Sequence, residues 1–179
     1  MLTQEQIQEN KIKFLELLSK LNFDMTDISL YLDGIDYFNA PNTSQYFRSY
    51  PGGLCQTALE LYSCLKKQAD MYLPGYYTDQ DLIAVALFKN LYRAEMYECV
   101  NGVYRTRSGK VRPTYGDLGF SSYMTVRHFI KDLTDEQVEA ICHGSITDNS
   151  IDIHEVRRSY PLVTLTAIAE LLITTFSKE

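Results

Sequence analysis

The residue types that carry covalent or metal chemistry are scattered along this chain. His128, His143 and His154 form no H-E-x-x-H or H-x-x-x-H pair, so no local imidazole cluster can hold a metal, and each reads as a surface or helix-end histidine. Cys55, Cys64, Cys99 and Cys142 include no C-x-x-C, which removes the zinc knuckle and the dithiol redox motif and leaves reduced thiols. There is no G-x-S-x-G elbow, and neither Gly52-Gly53 nor Gly116-x-x-Gly119 has the spacing of a phosphate loop or a dinucleotide fingerprint. What the chain does concentrate is positive charge: Arg105, Arg107, Lys110 and Arg112 sit in one short segment. Forked guanidinium contacts there could grip phosphates, and the same charges equally suit a solvated hairpin that guards an exposed edge.

The elements that must position such groups read as helices. With 179 residues, 45% apolar and 22% charged, the chain fits one domain spanning 1–179. Thr3-x-x-Gln6 is a capping box ahead of Ile7, Phe14, Leu15, Leu18 and Leu21, which predicts an amphipathic helix to about Leu21. A short helix at 27–32 is expected next. A polar, aromatic loop follows over 37–53, long enough to be functional. Further helices are predicted at 54–71, at 81–97 behind a Thr78 cap, at 121–131, at 134–143 behind Thr134-x-x-Gln137, and at 162–176. Residues 103–115 alternate around Ser108-Gly109 and predict a β-hairpin.

A formal charge of −6 argues against a long nucleic acid as partner and leaves room for a local basic patch. No apolar run reaches the ~18 residues a bilayer requires, and the N-terminal segment lacks the order of a signal peptide, so a cytoplasmic protein without a membrane partner is expected. Fourteen tyrosines and eight phenylalanines without a tryptophan suit a recognition surface as well as a core.

Several segments, read in order, carry a family likeness. Tyr37-Phe-Asn-Ala-Pro41 and Tyr46 lead into Gly52-Gly53-Leu54 and the helix to Tyr62. Ala86-Leu-Phe-Lys-Asn-Leu-Tyr-Arg93 and Tyr97 precede the basic hairpin, the glycine elbow at 116–122, Leu133-Thr-Asp-Glu136 and the segment 161–172. In order and spacing the chain resembles the small HD-domain phosphohydrolases of Gram-positive bacteria and their phages. The resemblance implies an all-α, HD-domain-like helical bundle with one inserted β-hairpin at about 103–115.

It also implies a lost metal site. Where the family holds divalent metals with imidazoles and carboxylates, this chain has Thr57, Lys89-Asn90, Leu118, Gly144 and Glu170, and Glu170 alone keeps a good metal-binding group. An ammonium at Lys89 would repel a dication and neutralise a carboxylate such as Glu170, unless Lys89 points to solvent. Arg93 stands where the family carries a lysine.

The expectation is therefore a metal-free, cofactor-free pseudoenzyme that sequesters a small anionic nucleotide. Tyr46, Arg48, Thr57, Lys89, Asn90, Arg93, Tyr97, Arg105, Arg107 and Glu170 would surround it, tyrosines stacking on the base and cations meeting the phosphates. Binding a nucleotide messenger of host defence would suit a phage protein, and self-association is left open. One alternative is a structural or protein-binding module whose pocket Lys89 and Glu170 fill, with the loop at 42–50 contacting a partner. Another is an unorthodox phosphodiesterase built on Glu170, Asp117 or His143, with Asp148, Asp152 and His154 as a weak cation site.

Overall fold

A computed structural model describes residues 1–107, 118–143 and 160–176. The chain is mostly helical, with one two-stranded antiparallel hairpin. Helix α1, Gln4–Leu18, starts at the capping box formed by Thr3 and Gln6. Helix α2, Met25–Gly34, is capped by the Asp24 carboxylate, and a 3₁₀ turn at Tyr37–Asn39 follows. Helix α3, Gly53–Tyr72, is the central element and packs against α1, the 3₁₀ turn, α4 and α8. Helix α4, Asp79–Phe88, begins at the box formed by Thr78 and Asp81. After the short α5, Tyr92–Met96, come strands β1, Tyr97–Val100, and β2, Val103–Thr106. Helix α6, Leu118–Val126, and α7, Asp135–His143, pack on each other, and α8, Pro161–Phe176, lies against α3 and α7. Thr134 and Gln137 cap α7 reciprocally, through Gln137 N–H to Thr134 Oγ1 at 3.2 Å and Thr134 N–H to Gln137 Oε1 at 2.8 Å.

The core runs through one cluster that includes Phe14, Leu18, Ile28, Leu32, Leu54, Leu61, Leu65, Ile83, Leu87, Phe88, Ile141, Leu162 and Ala169. Phe14, Tyr37 and Phe38 form an aromatic knot in it, with ring centroids 5.1 to 5.5 Å apart. Every residue from Leu82 to Leu91 is buried, so α4 is enclosed on all sides and not on the single stripe its pattern predicts.

Two further expectations need correction. The hairpin of the described residues turns earlier than the expected Ser108-Gly109. Tyr97 pairs with Thr106 and Val100 with Val103, so the turn is Asn101-Gly102, with φ of 53° and 79°. Both central residues of a type I′ turn need positive φ, and Asn-Gly supplies them at little cost. The expected second strand, along with Ser108-Gly109, Lys110 and Arg112, lies outside the described residues. The helix expected over 81–97 also breaks, ending at Phe88 and resuming at Tyr92. Fully buried Ser122 of α6 is inserted there: its hydroxyl accepts from Tyr92 N–H and donates to Lys89 O, both at 3.0 Å. A side chain entering the backbone ladder is a recognised cause of a helix break.

Candidate functional site

The break at Lys89 presents consecutive side chains to two neighbouring helices. Lys89 is 1% exposed, so it does not point to solvent. Its ammonium donates to Ala140 O at 3.1 Å and lies 4.0 Å from Glu170 Oε2. Ala140 is in the last turn of α7, where carbonyls lack an intrahelical partner and the helix dipole favours a cation. Glu170 is the one charged residue of α8, and its side chain is 14% exposed. Its Oε1 accepts from Asn90 Nδ2 at 2.9 Å, Asn90 Oδ1 accepts from Arg93 Nε at 3.0 Å, and Arg93 Nη1 donates to Asn42 O at 2.8 Å. Lys89, Asn90, Arg93 and Glu170 are thus one connected network joining α4, α5, α7, α8 and the loop after the 3₁₀ turn.

A second network holds that loop to α3. Asn42 N–H donates to Arg48 O at 3.0 Å, and Arg48 has a φ of 54°. The Arg48 guanidinium is buried. It donates to Thr57 Oγ1 at 3.2 Å and to Glu60 Oε2, and lies 4.6 Å from the Phe47 ring centroid. Thr57 Oγ1 donates to Gly53 O at 2.7 Å, and Tyr50 OH donates to Gln56 Oε1 at 3.0 Å. Gly53 is required by this closeness, since a Cβ there would stand 2.3 Å from Arg48 O. Thr43 Oγ1 accepts from Tyr46 N–H at 3.2 Å and donates to Phe47 O at 2.9 Å, so the loop tip is folded on itself while the Tyr46 ring is 82% exposed.

The remaining residues expected at the site are elsewhere or otherwise engaged. Tyr97 is buried at the start of β1, and its carbonyl accepts from Arg107 Nη2 at 3.3 Å. Arg105 Nε pairs across the hairpin with Glu98 Oε1 at 3.1 Å, and both hairpin arginines are exposed. Among the described residues no hydrogen bond or ion pair joins either arginine, or Tyr46, to Lys89. Leu118 starts α6, and Gly144, Asp117, Asp148, Asp152 and His154 lie outside the described residues.

The chain matches no family model, no curated protein and no solved structure. Its chemistry must therefore be read from the side chains themselves. Among the described residues, no group of three His, Cys, Asp or Glu side chains converges as a metal shell would require. At Glu170 the neighbouring groups are an ammonium and an amide, which offer a dication repulsion and one weak donor, so these residues do not fit a metal. Two surface cavities, of about 320 and 280 Å³, lie between α1 and α3 and between α1 and the α2–3₁₀ segment; neither is lined by Lys89, Asn90, Arg93 or Glu170.

Sequence reasoning missed Ser122, Asn42 and Glu60, which set the helix break, the loop anchor and the partner of Arg48. Nothing marks Ser122 in advance: its two partners are about 30 positions away in the chain.

Proposed function

We propose that this protein is a metal-free, catalytically inactive, HD-like module that works by binding a macromolecular partner, its former cradle having become part of the core. The observation that carries this reading is the position of the Lys89 ammonium, 1% exposed, on Ala140 O and 4.0 Å from Glu170. A cation placed there occupies the space and charge that a metal or a phosphate would need. Among the described residues, buried Arg48 is likewise bonded to Thr57 and Glu60, and half-buried Arg93 bonds Asn90 and the Asn42 carbonyl through two of its nitrogens. The recognition surface in this reading is the loop at 42–50, which offers the exposed Tyr46 ring on a backbone pinned by Thr43 and Arg48. A rigid, amphipathic aromatic at the tip of a braced loop is a low-entropy anchor for a protein interface.

One observation favours the nucleotide-sequestering reading as a second: Arg93 is only half-buried, and its Nε and Nη1 are the guanidinium nitrogens bonded among the described residues, which leaves Nη2 for a phosphate.

Thermal unfolding with and without ligands separates the two. In the first reading the midpoint is unmoved by millimolar Mn²⁺, by EDTA, and by mono-, di- and cyclic dinucleotides. A nucleotide-dependent rise that Arg93→Ala abolishes and EDTA does not would replace it with the second. Metal analysis returning one or two tightly held transition ions per chain would refute both.

A further inference from the structure

The residues that turn the hairpin also carry a reactive pair of groups. Asn101 is the one asparagine of the chain that a glycine follows, and both Asn101 and Gly102 are exposed. A Cβ added at Gly102 would meet nothing within 4 Å, so the space around that residue is open. Among the described residues no hydrogen bond holds the Asn101 carboxamide. The other asparagines each lack one of these features. Asn10 lies within α1 and precedes Lys11, and Asn22 precedes the bulky Phe23. Asn39 Nδ2 donates to Asp36 Oδ1 at 2.7 Å, Asn42 is 5% exposed, and Asn90 is bonded to Glu170 and Arg93. Asn149 precedes Ser150 and lies outside the described residues.

We propose that Asn101 is a site of spontaneous covalent modification, with water as the reactant and aspartate and isoaspartate at that position as the products. A base takes the proton from Gly102 N, and the nitrogen lone pair forms a bond to Asn101 Cγ. The bond from Cγ to Nδ2 breaks, and that nitrogen takes up a proton and leaves as ammonia. The five-membered succinimide then adds water at one of its two carbonyl carbons. The ring C–N bond at that carbon breaks, and a proton returns to Gly102 N. Opening at Cγ gives aspartate; opening at the backbone carbonyl carbon gives isoaspartate, in which the main chain runs through the former side chain. In sum a carboxamide becomes a carboxylate, one water is consumed and one ammonia is released.

Two features let this run in the folded protein. Gly102 has no side chain to obstruct the ring. Ring closure also requires the Asn101 backbone to leave its φ of 53°, and two strands of four residues each are marginal as an isolated pair, so the turn opens locally. The tie from the hairpin to the 3₁₀ turn, Tyr104 OH to Asn39 O, is a long bond of 3.4 Å. The two products act differently on the element. Asp-Gly suits a type I′ turn as well as Asn-Gly does. Isoaspartate instead puts an additional carbon atom into the main chain of a two-residue turn, which breaks the register that sets Glu98 opposite Arg105. None of this depends on what the Tyr46 loop or the Lys89 network does.

Intact-mass measurement and peptide mapping of the full chain, held in mildly alkaline buffer at physiological temperature for days, test the proposal. The mass gain of exchanging NH₂ for OH should locate to the peptide bearing Asn101 and accumulate there at least ten times faster than at any other asparagine. Asn101→Asp keeps a turn-forming pair and should remove that gain. Part of the modified peptide should resist an aspartate-specific protease, as an isoaspartyl linkage does. Chains with that linkage should lose the cross-strand contact of Glu98 with Arg105 in NMR spectra, while Asn101→Asp retains it. No gain at Asn101, a gain as fast at another asparagine, an undiminished gain in Asn101→Asp, or isoaspartyl chains with the cross-strand contact intact would each overturn the proposal.

Discussion

Lys89 illustrates how one side chain can settle the character of a site. A buried ammonium is costly unless it is bonded and balanced, and here a carbonyl at a helix end and a carboxylate on another helix supply both. Tyrosines at two other helix junctions are held in a related way. Tyr31 OH donates to Glu95 Oε1 at 2.7 Å, and Tyr77 OH donates to Glu136 Oε1 at 2.6 Å, an oxygen that also accepts from Leu162 N–H at 3.0 Å at the start of α8. Burial, followed by the hydrogen bond to the neighbouring carboxylate, raises both phenols well above the usual value near 10. The neutral forms are therefore favoured in the folded protein. Their contribution is complete below the unfolded phenol pKa and is lost as pH rises from there toward the folded values. Unfolding free energy measured by urea titration should fall above about pH 10. In a Tyr31→Phe, Tyr77→Phe protein it should start lower and fall less steeply; an unchanged slope would show that the phenols are not the cause.

At the scale of elements, local chemistry was legible in the sequence and long-range chemistry was not. The three capping boxes at Thr3, Thr78 and Thr134 mark helix starts because each uses residues three apart, and all three are present. The turn at Asn101-Gly102 was passed over because Ser-Gly and Asn-Gly are both turn signals, and weighing them depends on which flanking residues pair; the Glu98–Arg105 cross-strand pair fits the earlier turn. The break in the α4–α5 segment was hidden because its cause lies in α6. Of the candidate site, Lys89, Asn90, Arg93 and Glu170 lie in one network of the structure, whereas the seating of Arg48 on Glu60 depends on the path of a loop that no periodicity describes. Ser122→Ala would remove both bonds that stabilise the break, taking the Ser122 acceptor from the half-buried Tyr92 N–H. It should cost about 1–3 kcal/mol in chemical denaturation and speed amide exchange at Tyr92. An unchanged stability would mean that the break is set by packing alone.

Taken whole, the molecule is a helical body in which α3, α4, α7 and α8 enclose a polar junction, with aromatic and apolar surface left on its outside. Among the described residues no helix is long and apolar enough to cross a membrane. In the proposed reading the exposed Tyr46 loop makes the contact with another molecule, while the junction serves cohesion. That division rests on Lys89 and Glu170 being mutually stabilising parts of the core. A double-mutant cycle of Lys89→Met and Glu170→Gln, followed by urea unfolding, tests it most directly. Glu170→Gln keeps an acceptor for Asn90, so the cycle isolates the charge pair. Lys89→Met alone should cost about 3 kcal/mol, because it leaves a largely buried carboxylate without its cation, and the double variant should recover at least ~1 kcal/mol relative to the sum of the two single changes. Strictly additive losses, or a Lys89→Met protein as stable as the parent, would contradict the claim that the cradle has become a structural core.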